Sequence, residues 1–341
     1  MSDLGVSPKR RRLSLLARSS FFLLTVVAAA TMASNDDPRD YLNRMGPAVE
    51  ELNYYGILLH LHEGDLTVLR IVHRVEGGRV NEKISAMDGE GREIIRDNDE
   101  VTCVLPDQKI VMVEPRDIRD SNQSPLTGRL PDPAAFDDAY YDLEFLGEGR
   151  TAGRQAVIIA VQPMDEFRYG YRLWLDRATS MPLKSQLRND ANEVVEQISF
   201  ADITLPESIP IVDVEPSMGI DSFTWQRTET PADSKSFAAV ENWRATQMPA
   251  GFELTAARSK FAAGSSRPME HLVYSDGLAS VSVFIEMGVA ESEQTEGLTP
   301  MGSVNAFTTT LNGRLVTAMG QVPAQTVEMI ALSVRSSSGT P

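Results

Sequence analysis

The chain has 341 residues, with 48 acids against 32 basic residues and a formal net charge of −16. A field of that sign repels nucleic-acid phosphates, so DNA and RNA are disfavoured as partners, although a local basic rim would still accept anionic lipid. A single cysteine, Cys103, cannot close an internal disulfide, and the length exceeds one compact core, so two domains held by packing alone are expected.

The N-terminus carries the plainest signal. Lys9, Arg10, Arg11, Arg12 and Arg18 flank an uncharged apolar run over 19–30, and small residues follow at Thr31, Ala33 and Ser34. The run is short for a bilayer core of about 30 Å, so residues 1–33 read as a secretory signal peptide cleaved after Ala30 or Ala33; an uncleaved anchor is the competing reading. Export to the periplasm follows, and removal of this segment leaves a net charge of about −20. Cys103 lies in an apolar run, as a buried inert thiol or, less simply, an intermolecular disulfide partner.

From Pro38, apolar residues at Tyr41, Leu42, Met45 and Val49 predict a short helix. Alternation then takes over: strands are expected over 56–62, 66–75 and 80–87, to Ile95, over 101–105 and 109–113, each separated by short Gly- and Asp-rich turns. Such turns cannot hold crossover helices, so the sheet should be antiparallel. Residues 114–139 break the pattern with Pro115, Pro125, Pro131 and Pro133, either as a lid or binding loop or as a solvated loop without a role. Strands resume over 142–147, 155–161, 168–175, 183–188 and 194–204. The whole predicts a mainly β (α+β) protein: a large curved antiparallel half-barrel with covering helices, then a smaller C-terminal α+β domain.

Residues 206–239 hold four prolines and little periodicity and read as a linker; Phe223 and Trp225 inside it either open the second domain or dock on the first. Hairpins are expected around Asp276-Gly277 and Asn312-Gly313, since these residues tolerate positive φ. A closing helix after Pro323 carries an apolar stripe at Val327, Ile330, Ala331 and Val334 and should cover a sheet face. The expected division is 34–205, linker 206–239, 240–335, and a disordered tail over 336–341.

The search for catalytic chemistry finds no G-x-S-x-G, H-E-x-x-H or C-x-x-C. His60 and His62 project to one face of a strand and His73 lies on the next, a geometry able to hold zinc, but a polar solvated face is the simpler reading. No catalytic, cofactor or metal site is therefore expected; a hydrolase built from unrecognised carboxylates is a remote third reading. What remains is apolar surface. The candidate lipid groove is Ile57, Leu59 and Leu61 on the first strand, Leu69 and Ile71 on the second, and Leu173 and Leu175 on a later one, with ordinary core as the competing reading.

Several motifs carry a family resemblance. Trp174-Leu175-Asp176 with Thr179, Met181, Pro182 and Leu183, then Trp243 with Pro249, Gly251 and Phe252, then 272–278 with Val281 and Val283, then 320–326, stand in one order along the chain. In that order they resemble the RseB/MucB family of periplasmic sigma-factor regulators, whose first domain is similar to lipoprotein carriers of the LolA and LppX type. The resemblance implies a non-enzymatic protein that binds the periplasmic segment of a membrane-spanning anti-sigma factor (RseA- or MucA-like). Binding would hide that segment from a DegS-type site-1 protease, and lipid, lipoprotein or lipopolysaccharide in the first domain would be the release signal. It implies an anti-sigma interface at Tyr274, Ser275, Asp276, Gly277, Leu278, Val281 and Val283, although Tyr274 equally suits hairpin packing. A lipid or lipoprotein carrier without a proteolytic role is the alternative, and homo-oligomerisation is left open.

Overall fold

The computed structural model describes residues 37–62, 64–97, 100–115, 126, 130–131, 136–227, 243–261, 268–287 and 296–336. The expected signal segment, the tail beyond 336 and much of the 114–139 insert lie outside these residues. Among the described residues no helix is long and apolar enough to cross a membrane.

Helix α1 (Pro38–Glu51) starts where a start is encoded: the Asp37 carboxylate accepts the Arg39 N–H at 2.9 Å, and Pro38 occupies the first turn. Its buried stripe is Tyr41, Leu42, Met45, Ala48 and Val49, the spacing one helix face requires.

The first sheet has twelve strands: β1 (Tyr54–His62), β2 (Asp65–Glu76), β3 (Arg79–Ala86), β4 (Glu93–Arg96), β5 (Glu100–Leu105), β6 (Ile110–Pro115), β7 (Tyr141–Thr151), β8 (Arg154–Pro163), β9 (Gly170–Asp176), β10 (Pro182–Arg188), β11 (Val194–Thr204) and β12 (Thr224–Arg227). Their order is β12-β6-β5-β4-β3-β2-β1-β11-β10-β9-β8-β7. It is thus two meanders joined by β1 against β11, and the chain crosses from one edge of the sheet to the other between β6 and β7. One pairing departs from the expected antiparallel rule: β12 lies parallel to β6, which the long connection between them allows. The segment expected to be a linker therefore hugs the first sheet. Ile209 and Val214 bury against Val72, and Phe223 packs beside Val104, Val111 and Val113, while Trp225 stays exposed.

One face of this sheet is covered. Ala48 and Val49 of α1, with Leu126, join Leu58, Leu69, Ile71, Ile198 and Phe200; Tyr41, Leu42 and Met45, with Phe136, join Val157, Ile159, Leu173 and Leu175. Described residues of the 114–139 insert thus fill the face that a ligand groove would use. Cys103 is half-buried, and burial pushes its thiol up, away from the reactive thiolate.

The second lobe is a six-stranded antiparallel sheet, β14 (Glu253–Phe261), β15 (Pro268–Ser275), β16 (Ser280–Met287), β19 (Arg314–Gly320), β18 (Val304–Leu311) and β17 (Gly297–Met301), in that spatial order. A short ribbon of β13 (Trp243–Ala245) and β20 (Val334–Ser336) flanks it. Helix α2 (Ala324–Leu332) packs Val327, Ile330 and Ala331 onto Leu272, Tyr274, Val283, Ile285, Val316 and Ala318. The β18/β19 hairpin turns on Asn312 and Gly313, both at positive φ as expected. At 276–279 only Gly277 takes positive φ; Asp276 instead accepts the N–H groups of Leu278 and Ala279 on its Oδ1, an Asx turn.

Two outcomes test this packing. A Cβ on Gly320 would stand 2.3 Å from the Ser280 carbonyl oxygen, which is backbone and cannot swing aside. Gly320→Ala should lower stability by about 1–3 kcal/mol in denaturant titration, through separation of β16 from β19. His73 stacks on Tyr54 (4.6 Å, 10°), its Nδ1 lies 2.9 Å from the Leu52 carbonyl, and burial holds its pKa below the ordinary value. The unfolded chain then binds the extra proton, so stability should fall as pH drops below about 6.5. His73→Gln should flatten that part of the pH–melting profile.

Candidate functional site at the seam between the two lobes

The two sheets belong to one compact unit, and a short segment of the first lobe makes most of the described bonds across the seam. This segment, 164–169, links β8 to β9. Its Glu166 carbonyl accepts from the Gln325 side chain at 2.6 Å, and the Phe167 carbonyl accepts the Thr326 hydroxyl at 2.7 Å, so it seats the first turn of α2. The Tyr169 hydroxyl accepts from Asn305 Nδ2 at 3.1 Å.

Arg168 is the centre of it. Its side chain is wholly buried, and Nη1 donates to Asp276 Oδ2 at 2.7 Å, itself wholly buried. The remaining donors reach Asp165 (3.0–3.1 Å) and the Ala250 carbonyl. The rings of Tyr140, Tyr141 and Phe252 stand 4.9–5.4 Å from the guanidinium carbon. Tyr141 donates its hydroxyl to the same Asp276 oxygen at 2.8 Å, and burial with the neighbouring carboxylate drives its pKa far up, so it stays a donor. Gly251, at φ +84, lets the backbone lie against the Tyr140 ring, where a Cβ would come within 2.4 Å. A buried charge costs several kcal/mol unless every donor is matched, and here the match draws on both lobes.

A second polar group lies further along the seam. His60 and His62 on β1 share the covered face with Glu196 on β11, which sits opposite His62 in register. His60 Nε2 lies 2.7 Å from Glu196 Oε1. From the second lobe, Gln321 donates to Glu196 Oε2 and to Ser303 Oγ, and Ser303 Oγ stands 3.4 Å from the same carboxylate. Beside this group opens a cleft of about 270 Å³. Tyr171 bounds it from the first lobe; Leu278, Ser282, Phe284, Val304 and Met319 bound it from the second.

The fold redistributes the expected site residues. Opposed residues of a ladder share a face, and Leu58 opposes Leu69 while Ile57 opposes Arg70. Hence Ile57, Leu59 and Leu61 lie on the opposite face, which Ile209 and Val214 cover only beside Tyr55 and Val72, whereas Leu69, Ile71, Leu173 and Leu175 are core on the covered face: the seven do not line one groove. The inward set of β1 is instead Leu58, His60 and His62, whose histidine polar atoms are matched at the seam, so Ile57, Leu59 and Leu61 take the other parity. The same correction applies to the hairpin. Tyr274, Val281 and Val283 are buried under α2, the Tyr274 hydroxyl accepts the Ala245 N–H at 2.7 Å, Asp276 is bound to Arg168, and Leu278 packs on the first lobe's core. Ser275 is half-buried with its hydroxyl on the Ala279 carbonyl, and Gly277 alone is exposed. Tyr274, Asp276, Leu278, Val281 and Val283 are thus taken up by packing, Ser275 lies on the alternate face, and on that face Ser282 and Phe284 border the cleft. Sequence reading missed Arg168, Glu196 and Gln321. The one available signal was an arginine set among Phe167, Tyr169 and Tyr171.

The buried pair generates a clear outcome. Arg168→Met or Asp276→Leu alone should cost about 3–5 kcal/mol, since each strands a buried charge, while the double variant should recover a large part of that loss. A denaturation double-mutant cycle reads it directly.

Comparison with known proteins places the chain. It matches the MucB/RseB N-terminal domain over residues 37–218 and the MucB/RseB C-terminal domain over 238–335. It is 33% identical over 306 residues to the sigma factor AlgU regulatory protein MucB of Pseudomonas aeruginosa, covering 88% of this chain and 91% of that protein. It is 26% identical over 306 residues to the sigma-E factor regulatory protein RseB of Escherichia coli (86% and 89%). The solved MucA/MucB complex of Pseudomonas aeruginosa superposes with a TM-score of 0.69 at 29% identity, over 89% of this chain and 100% of that one. With both lobes matched in order along nearly the whole described length, the chain belongs to the MucB/RseB family, whose relatives are sigma-factor regulatory proteins.

Proposed function

We propose that this protein is a periplasmic negative regulator of an envelope-stress sigma factor, acting by binding rather than by catalysis. Its partner is the periplasmic segment of a membrane-spanning anti-sigma factor of the MucA or RseA kind, which it shields from site-1 proteolysis. Family membership over both lobes carries this reading, together with a relative solved in complex with MucA. The carrier alternative would need only the first sheet, and a second lobe locked on through a wholly buried ion pair weighs against it.

For the partner surface we favour the cleft, since Phe284, Met319 and Leu278 offer half-buried apolar groups beside Tyr171 and a peptide segment could bury them. For the lipid signal, the open stretch of the first sheet's opposite face offers both parts an anionic amphiphile needs. Leu59 and Leu61 lie in register rows with Ser199 and Gln197, and through these with Lys184 and Gln186, which pair with Trp174 and Arg172. Lys184 stacks over Trp174 at 4.3 Å; burial chiefly, and the nearby Arg188 and Arg172 in addition, lower its pKa, and the three cationic side chains make a local positive patch. Lipid entry into the covered face would instead require α1 and the Leu126 and Phe136 contacts to leave. Either way, release requires lipid to bind the partner-free conformer more tightly.

The test is reconstitution. The protein should slow site-1 cleavage of the anti-sigma segment, and anionic lipid should restore cleavage; unchanged cleavage with the protein present would sink the reading. Phe284→Ala should weaken binding of the segment by about tenfold or more with the melting temperature retained, whereas Ile285→Ala should lower the melting temperature. Lys184→Glu should blunt the lipid response without altering protection.

A further inference from the structure

Two histidines two residues apart on a strand, facing a carboxylate on the neighbouring strand, make three donors that converge on one point above the sheet. Here the strands are β1 and β11. His62 opposes Glu196 directly and His60 opposes Ile198, one pair further on, so the three side chains rise from one covered face. Their ligating atoms all lie within 4.8 Å of one another. The imidazoles run nearly parallel, 5.9 Å between centroids at 17°. The side chains of His60 and Glu196 are 14% and 8% exposed, so a bound ion would be largely shielded from solvent.

We propose that His60, His62 and Glu196 form a binding site for a divalent transition-metal cation of the zinc class, set in the seam between the lobes. Two neutral imidazoles and one carboxylate are a donor set that borderline cations prefer over calcium or magnesium, which seek oxygen alone. Tetrahedral coordination at Zn–N and Zn–O distances of about 2.0–2.2 Å puts donors ~3.3 Å apart, so side-chain adjustments suffice to bring these atoms to an ion. The ion takes the place of the His60–Glu196 hydrogen bond. The supporting shell is already built from the second lobe. Gln321 donates to Glu196 Oε2 and to Ser303 Oγ (2.8 Å), and Ser303 Oγ lies 3.5 Å from His62 Nδ1 and 3.4 Å from Glu196 Oε2. These contacts would fix the carboxylate and one ring, as the outer partners of metal ligands do. A cavity of about 10 Å³, lined by Tyr171, Ser185, Leu187, Glu196, Ile198 and Gln321, adjoins the carboxylate with room on the order of one water. A solvent water would complete the tetrahedron. Because the ligands stand on the first lobe and their support on the second, cation binding tightens the seam. The family reading does not supply this site, and its test does not depend on that reading.

Titration of purified, chelator-treated protein with Zn²⁺ against a chromogenic competitor should show a single tight equivalent and a raised melting temperature. Co²⁺ in its place should give the intense visible absorption of a tetrahedral ion. His60→Gln, His62→Gln and Glu196→Gln should each abolish both signals, and Gln321→Ala should weaken binding roughly 10-fold or more, whereas His73→Gln should leave it unchanged. Melting of the metal-free variants near the wild-type temperature separates lost ligation from lost folding. Absence of the tight equivalent and of the Co²⁺ spectrum in the wild type overturns the proposal, as does binding that persists in all three ligand variants.

Discussion

The Arg168–Asp276 pair is the constraint around which the seam is arranged. Both side chains are fully removed from water, so each is tolerable only while the other stays in place. Asp276 serves two structures at once. Oδ1 accepts the N–H groups that shape its own turn, and Oδ2 accepts from Arg168 and Tyr141 of the other lobe. A turn that could have stood free in solvent is thereby held inward. The neighbouring residues of 164–169, which seat the start of α2, follow from the same anchoring. Asp176 builds a comparable turn within the first sheet, with Oδ1 on Ala178 and Thr179 and Oδ2 on Arg154, and these bonds outweigh the cost of its burial and hold its carboxyl below the usual range.

Once the lobes are locked, each sheet has one face closed as core; in the first sheet the other face is itself partly covered, by Ile209, Val214 and Phe223 over β2 to β6, and stays open toward β8 to β11. In the second lobe α2 closes the face of Val283 and Ile285, leaving Ser282 and Phe284 toward the cleft. In the first, α1 and the residues Leu126 and Phe136 close the face of Leu58, Leu69 and Ile71, leaving Leu59 and Leu61 outward beside the lysine and arginines of β9 and β10. Core positions and positions free to bind a ligand thus alternate residue by residue along the same strands. A regulator that couples two ligands could use such an arrangement, because a partner seated in the cleft would touch both lobes and respond to a change in their seam.

Much of the architecture was legible in the residues. Short turns at Gly77-Gly78 and Asn312-Gly313, the apolar stripe of α1 and the stripe of α2 each follow from local chemistry that has few alternatives. Strand β1 was the exception. Its apolar residues fall on both parities, and the more continuous set, Ile57, Leu59 and Leu61, turned out to be the outer one. Hydrophobicity favours putting that set inside; the partners available to His60 and His62 outweigh it. Glu196 could not be tied to those histidines beforehand, since its register against β1 depends on a pairing between residues more than a hundred apart.

By itself, then, the sequence determined most of the elements, the antiparallel meanders and the family to which the chain belongs, because periodicity and turn chemistry act over a few residues. It did not foresee β12, β17 or β20, the last of which takes Val334 from the expected helix stripe. Tertiary structure alone decided which face of each strand is core, that 206–227 folds back on the first sheet, and that Arg168, Asp276, Glu196 and Gln321 meet. The reason is physical. Burying a charge or a histidine is permitted only where distant groups complete its hydrogen bonds, and that condition is met by the packed fold rather than by any stretch of chain.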